Sequence, residues 1–451
     1  MKEIGKIISF QNTHQSEGFH TKVEDFKDVP FDIKRTYWTY DIPAGAARGG
    51  HAHKECLEVI IAASGSFTVI LDDGTRKEAF HLNRPDEGLL VNTGIWRTLE
   101  DFSAGSVCFV LASELYDADD YIYEYEDFLE YTKERAVMIT IKRYDSTTDR
   151  ERWNQFVALS KQATFLLHRS YMDYHSDRFH DHSLMIFRND KLYALLPANE
   201  NGDTFYSHQG LTYAGLITNE KASAEDVCLV FVAINEYLKQ AGFRKCIYKP
   251  IPWIYQQQPA EEDLYALFKE CHAQICVRNI SAVINLKHPL KWYNIRKSGA
   301  RKALAKGIVV EESEDYESFW NILSENLMNT YHAHPVHTLQ EIKQLHASLP
   351  DNIKLYVARD ESGKMLGGTV LYISPKVVHT QYISASEEGK QQHALDALFQ
   401  YLIQTRYKDF DYFDFGTSNE EGGKVLNTSL IYQKEGFGGR GVAYDTYEWT
   451  L

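Results

Sequence analysis

His51 and His53 stand two residues apart in the segment Arg48-Gly49-Gly50-His51-Ala52-His53-Lys54, and Glu58 follows shortly after. In an extended strand, residues i and i+2 point to one face, so both imidazoles look the same way. Two chemistries suit such a set. Two imidazoles and a carboxylate supply three ligands to a divalent metal. Imidazoles, whose reference pKa is about 6.5, also take and return protons near neutral pH. The flanking Arg48 and Lys54 favour a functional pair over two buried polar residues. His332, His334 and His337 form a second cluster, but Pro335 interrupts it and no carboxylate completes a ligand set, so it reads as a loop.

The elements that must hold these groups are short strands. Residues 1–115 contain LEVIIAA, SFTVILDD, GLLVN and SVCFVLAS, each bounded by turn formers. Asp72-Asp73-Gly74 is a hairpin signal. Strands this frequent predict a sandwich or barrel, whose interior the histidine face can line. The acidic, aromatic stretch ELYDADDYIYEYEDFLEYTKER predicts an exit segment with a short helix. From about Arg135 the texture changes. DVCLVFVAINEYLKQAGF predicts a buried helix ending at Gly242, and RKCIYKPIP a strand. ALDALFQYLIQTRY and FDYFDFG repeat that order, which predicts two related α/β halves meeting near residues 287–307.

From Gly45, the spacing of His51, His53, Glu58 and Gly65 matches the first cupin motif throughout. In the second cupin motif a further histidine follows a turn; here that turn is Asn92-Thr93-Gly94 and Arg97 takes the position. A guanidinium is always charged and cannot ligate a cation, so the expected site holds no metal, although His51, His53 and Glu58 remain a possible three-ligand set. IKRTYWTYD (33–41), RGGHAHK (48–54), LDDG (71–74), GLLVNTGIWRTLEDFS (88–103) and LASELYDADDYIYEYEDFL (111–129) together resemble the dTDP-4-keto-6-deoxyglucose 3,4-ketoisomerases. These are metal-independent cupins of bacterial surface-sugar biosynthesis. The resemblance implies a jelly-roll barrel over residues 1–135, a dTDP-linked sugar substrate, no cofactor and a domain-swapped homodimer. His51 is then the main base and His53 its partner, in either order. Arg97 or Tyr37 would stabilise an enolate oxygen. Arg35, Arg48 and Lys54 would meet the pyrophosphate, and Trp96 would stack on a base or sugar, or pack the core. Glu17, Glu58 and Arg97 depart from the family pattern and leave the C4 configuration of the product open.

Residues 137–451 resemble GNAT-superfamily acyltransferases of the FemAB-like type, with two GNAT-like halves expected at 136–290 and 291–451. The matching stretches are WYNIRKSGARKALAKGIVVEES, IKLYVARDESGKMLGGTVLY, QYISAS and YFDFGTSNEEGGKVLNTSLIYQKEGFGGRGVAYDTYEW. The resemblance implies acyl transfer to an amine from an acyl-CoA; related enzymes cradle the CoA pyrophosphate in a glycine-rich turn, and the comparable stretch here, Glu387-Glu388-Gly389-Lys390-Gln391-Gln392-His393-Ala394, departs from it by keeping one glycine. Asp414, Asn419 and Lys434 are candidate site residues. Arg296, Lys297, Arg301, Lys302 and Lys306 form a modest basic face.

A 3-ketosugar nucleotide becomes a 3-amino sugar by transamination, and that amine is open to acylation. The fusion therefore points to isomerisation of dTDP-4-keto-6-deoxyglucose and N-acylation of a dTDP-3-amino-3,6-dideoxyhexose, with a separate aminotransferase between them. An aminoacyl-tRNA-dependent ligase with a regulatory sugar-binding cupin is the competing reading. The formal charge of −15 works against nucleic-acid binding. Six dispersed cysteines without a C-x-x-C pair predict free thiols. With no apolar run of spanning length and no signal-type core in MKEIGKIISFQ, the expected setting is cytoplasmic and membrane-free.

Overall fold

The computed structural model describes residues 4–43, 45–135 and 138–451. The chain divides into two compact units, Met1–Ala136 and Val137–Leu451.

The first unit is two five-stranded sheets around one core. The first sheet runs, in spatial order, β1 (Gly5–Ser9), β9 (Glu87–Val91), β6 (Glu58–Ser64), β11 (Val107–Ala112) and β4 (Arg35–Thr39). The second runs β12 (Tyr121–Ile122), β5 (Arg48–His53), β10 (Trp96–Glu100), β7 (Phe67–Asp72) and β8 (Lys77–Leu82). A separate hairpin pairs β2 (Asn12–Gln15) with β3 (Gly18–Thr21). Alternation sets the core: Phe67, Val69 and Leu71 of β7 are fully buried and meet Ile60, Leu89, Val91 and Val110 from the other sheet. The predicted turn joins β7 to β8. There Asp73 accepts from the backbone N–H groups of Thr75 and Arg76, and Gly74 adopts φ +89°. Helix α1 (Tyr125–Arg135) follows, with Phe128 buried against Ala52, Trp96 and Ile122.

The second unit carries a four-stranded sheet and an eleven-stranded one. Its helix Ala224–Gln240 is capped by Ser223, whose side chain accepts from the Asp226 N–H, and Gly242 at φ +89° follows the end. The strand Lys245–Tyr248 comes next, as its pattern predicts. The expected halves share the large sheet: strand Arg440–Thr450 lies between Lys245–Tyr248 and Gln274–Asn285, pairing with both. In that sheet Val377–Ala385 runs parallel to Tyr412–Thr417, but their ladder spans only Val377 to His379. Beyond it Gly416 takes φ +73°, and the strands part. Gly389 lets the short helix Glu387–Gln391 approach strand Met365–Ile373: a Cβ there would stand 2.0 Å from the Leu366 carbonyl oxygen. This glycine therefore serves close packing.

All six cysteines are free, Cys276 alone being exposed. Among the described residues, no helix is long and apolar enough to cross a membrane.

Candidate functional site

Pairing register brings the first site together. Arg97 of β10 lies directly opposite His51 of β5, and Tyr121 of β12 lies opposite His53. The β5–β10 register shifts at Arg97/Thr98. Gly49 and Gly50 accommodate this with φ of +84° and +68°, and a Cβ on Gly49 would stand 2.8 Å from the Arg97 carbonyl oxygen. The double glycine of the motif is thus a bulge device that aims His51. Ala52 points the other way, into the cluster under α1.

The rings of His51 and His53 meet edge to face with centroids 5.0 Å apart. His53 is wholly buried. Its Nδ1 pairs with Asp120 Oδ2 at 2.6 Å, and its Nε2 lies 3.3 Å from Glu58 Oε1, off hydrogen-bond geometry. Glu58 also accepts from the Tyr37 hydroxyl at 2.6 Å and faces Arg97 Nε at 3.7 Å. Burial alone would raise the Glu58 carboxyl, but the Arg97 charge, together with His53 and Tyr37, brings it down to about 2. Burial, reinforced by Glu58, pushes the Tyr37 phenol up, so it stays a donor. Burial and the Arg97 charge hold His51 down at about 4, which keeps it neutral at physiological pH. The His51 Nε2 and all three guanidinium nitrogens of Arg97 are buried without a hydrogen-bond partner among the described residues.

His51, His53 and Glu58 offer ligand atoms within 4.8 Å of one another, as do His53, Cys56 and Asp120. The Arg97 guanidinium already neutralises Glu58 and repels a cation from the first group, so the donor set fits a metal poorly.

The other candidates are distributed unevenly. Arg35 donates to the Tyr121 hydroxyl at 3.2 Å and lies over the Tyr37 ring, joining the site's edge. Arg48 is exposed at the start of β5, and Lys54 is exposed with its ammonium on the Asp119 carbonyl. Trp96 is not in the pocket: neighbouring Arg97 takes the inner face, so Trp96 takes the outer one and packs on Tyr125 and Phe128. Glu17 lies in the exposed turn of the β2–β3 hairpin with a local hydrogen bond to Ser16. Sequence reasoning missed Asp120 and Tyr121, which sit in the acidic, aromatic stretch read as an exit segment. Tyr121 stacks on Tyr123 at 5.2 Å and, beside His51 at 5.1 Å, helps form an aromatic wall.

In the second unit, Asp414 is completely buried where the parallel strands part. Its Oδ2 accepts from Tyr255 at 2.9 Å and Tyr444 at 2.7 Å and faces His379 Nδ1 at 2.8 Å; its Oδ1 accepts from Ser281 and from the Gly416 N–H. Burial opposes its charge, but His379 and these donors outweigh burial and hold the carboxyl well below its ordinary range. Lys434 is buried and donates to the Gly416 and Thr417 carbonyls, with burial lowering its amine to about 8. Asn419 accepts from the Ile280 N–H at 2.6 Å and ties a turn. His379 was missed, because a lone histidine in an apolar strand has no motif spacing. His337 is buried between the Tyr174 and Tyr382 hydroxyls, and His332 ends a helix at φ +51°. Arg296 leaves the supposed basic face to pair with buried Asp396 at 2.9 Å.

A β-sandwich with a paired-histidine strand, a buried arginine and a tyrosine wall defines a cupin. Residues 3–133 match the FdtA family, described as WxcM-like, C-terminal, and residues 292–421 match the acetyltransferase (GNAT) domain family. A TDP-4-oxo-6-deoxy-alpha-D-glucose-3,4-oxoisomerase from Aneurinibacillus thermoaerophilus is 40% identical over 126 residues, covering 28% of this chain and 91% of that protein. Through its first unit, the chain belongs to the sugar 3,4-ketoisomerase family. Among solved structures, a sugar 3,4-ketoisomerase from Thermoanaerobacterium thermosaccharolyticum in complex with TDP is 35% identical, covering 30% of this chain and 99% of that one, with a TM-score of 0.30. FemX is 10% identical, covering 69% of this chain and 97% of that one, with a TM-score of 0.51, a likeness of fold alone. The second unit accordingly has the FemX-like acyltransferase fold.

Proposed function

We propose that the chain is a bifunctional sugar-nucleotide enzyme whose first unit converts dTDP-4-keto-6-deoxyglucose to its 3-keto isomer. The carrying observation is His51 Nε2, which has no hydrogen-bond partner among the described residues, on the residue paired in register with Arg97, whose guanidinium faces Glu58 and makes no hydrogen bond among them. The C4 ketone acidifies the C3 hydrogen. Neutral His51 removes that proton, and Arg97 stabilises the enediolate oxygen. The O3 proton passes to O4, and protonation at C4 leaves the ketone at C3. His53, clamped between Asp120 and Glu58, orients the pair. Tyr37 supports Glu58, and Arg35, Arg48 and Lys54 lie toward the pyrophosphate. The chemistry needs no cofactor. His51→Asn abolishes exchange of the C3 proton with solvent deuterium while the fold persists; exchange at the wild-type rate overturns the assignment.

The second unit transfers an acyl group from acyl-CoA, acetyl-CoA being the first choice, to the amine of a dTDP-3-amino-3,6-dideoxyhexose. Asp414 and Lys434 belong to its centre, Asn419 to its supporting turn. The likeness to GNAT acyltransferases and the fusion to an isomerase of the same pathway support this reading. A separate aminotransferase supplies the amine. Free thiols suit a reducing, cytoplasmic setting. Trp38 and Tyr40, 59% and 60% exposed beside the open edge of the first sheet, favour a homodimer through the cupin unit.

A further inference from the structure

We propose that His379, oriented by Asp414, is the general base of the second unit, taking the proton from the acceptor amine. This rests on the acyl-transfer reading above.

The location is the first support. His379 and Asp414 form the last pair of the parallel ladder, at the point where the two strands separate. The same point opens on a cavity lined by Phe165, Tyr213, Tyr255, Tyr372, His379 and Gln381. Its walls come from both portions of the unit, and it is narrow, about 10 Å³, with room for an amine group beside His379 and not for a whole ring.

Polarity is the second support. Asp414 is wholly buried, yet the donors around it hold it as a carboxylate. A carboxylate accepts only, so His379 must present Nδ1–H to Oδ2, 2.8 Å away. That fixes the tautomer with the Nε2 lone pair free. The His379 side chain keeps 14% of its exposure, enough to meet a ligand. Tyr255 and Tyr444 complete the carboxylate shell, so Asp414 stays ionised and stabilises the imidazolium as it forms. Asp414 is therefore a positioning residue, and His379 the group that touches the acceptor.

The step balances without another reagent. The amine nitrogen attacks the thioester carbonyl carbon and forms the C–N bond, while its proton passes to His379 Nε2. The tetrahedral adduct collapses, the C–S bond breaks, and the sulfur leaves with the electron pair. The thiolate takes the proton back from His379, which returns to its neutral form, and the products are an amide and free thiol.

The test uses the full chain, acetyl-CoA, and dTDP-3-amino-3,6-dideoxyhexoses of both C4 configurations, with thiol release as readout. Wild type releases thiol; His379→Gln lowers kcat about 10²–10⁴-fold and leaves both KM values within about threefold. A His379→Gln enzyme at the wild-type rate overturns the proposal. In parallel, ¹⁵N-histidine spectra assign His379 by its loss in that variant. The expected signal is the Nδ1–H tautomer, which Asp414→Asn converts to Nε2–H. An Nε2–H tautomer in wild type overturns the base assignment whatever the acceptor. If wild type releases no thiol with either amine, the sugar-amine reading fails, and the tautomer decides the dyad by itself.

Discussion

Replacing Arg97 by methionine removes a buried charge while keeping a flexible stem. Glu58 then loses a cation whose Nε is 3.7 Å from its Oε2, and both side chains are 1% exposed. At an effective dielectric of about 20, a pair at that distance attracts by about 4–5 kcal/mol before desolvation. Glu58 has an escape, because it can bind a proton. From its ordinary value of 4.5, protonation costs about 3 kcal/mol at pH 7 and less than about 1 kcal/mol at pH 5. The stability loss of Arg97→Met is thus capped near about 3 kcal/mol at pH 7, the low end for halving a buried ion pair. The sign with pH follows. In wild type the folded-state value for Glu58 is depressed, so its contribution is full above 4.5 and is lost as pH falls toward 2. In Arg97→Met burial raises that value above the unfolded one, so the variant's deficit shrinks between pH 7 and pH 5. Adding Glu58→Gln removes the stranded charge and restores most of the stability at pH 7. Urea unfolding of the full chain at both pH values, with hydrogen exchange followed in β6 and β10, measures all three quantities. Wild-type stability in Arg97→Met, a deficit that grows on acidification, or a double variant no better than the single one refutes the charge pairing.

Trp96→Ala opens a void in the cluster of Ala52, Ile122 and Phe128 and costs about 3–5 kcal/mol; TDP affinity by calorimetry stays unchanged, whereas a tenfold loss with intact stability would return the indole to the nucleotide. His175, His208 and His337 are nearly inaccessible, and burial depresses them to about 4, 2 and 4. Below pH 6.5 the unfolded chain binds protons that the folded second unit refuses, so stability falls as pH drops toward 4. At pH 5 the slope from these three groups approaches about 4 kcal/mol per pH unit. His208→Phe removes about a third of it, and an unchanged urea-midpoint slope between pH 6.5 and 5 would contradict the neutral burial.

Local periodicity made part of this molecule legible and topology hid the rest. The shared face of His51 and His53 follows from a repeat of two, and the Asp72-Asp73-Gly74 turn and the helix ending before Gly242 follow from short-range chemistry. Which of Trp96 and Arg97 faces the pocket does not: it depends on the register of β10 against β5, fixed by a bulge at Gly49 and Gly50. Those glycines were visible as a motif, but their strained backbone was not. Asp120 reaches His53 across 67 residues, and Asp414 gathers Tyr255, Ser281, His379 and Tyr444 from four separate strands or turns. No spacing rule encodes such a shell, because its members come from three strands and the 3-10 turn Trp253–Tyr255 and not from one segment. A buried carboxylate nonetheless demands donors, so Asp414 within FDYFDFG, an aspartate amid apolar strand residues, was the one local sign that partners had to converge there.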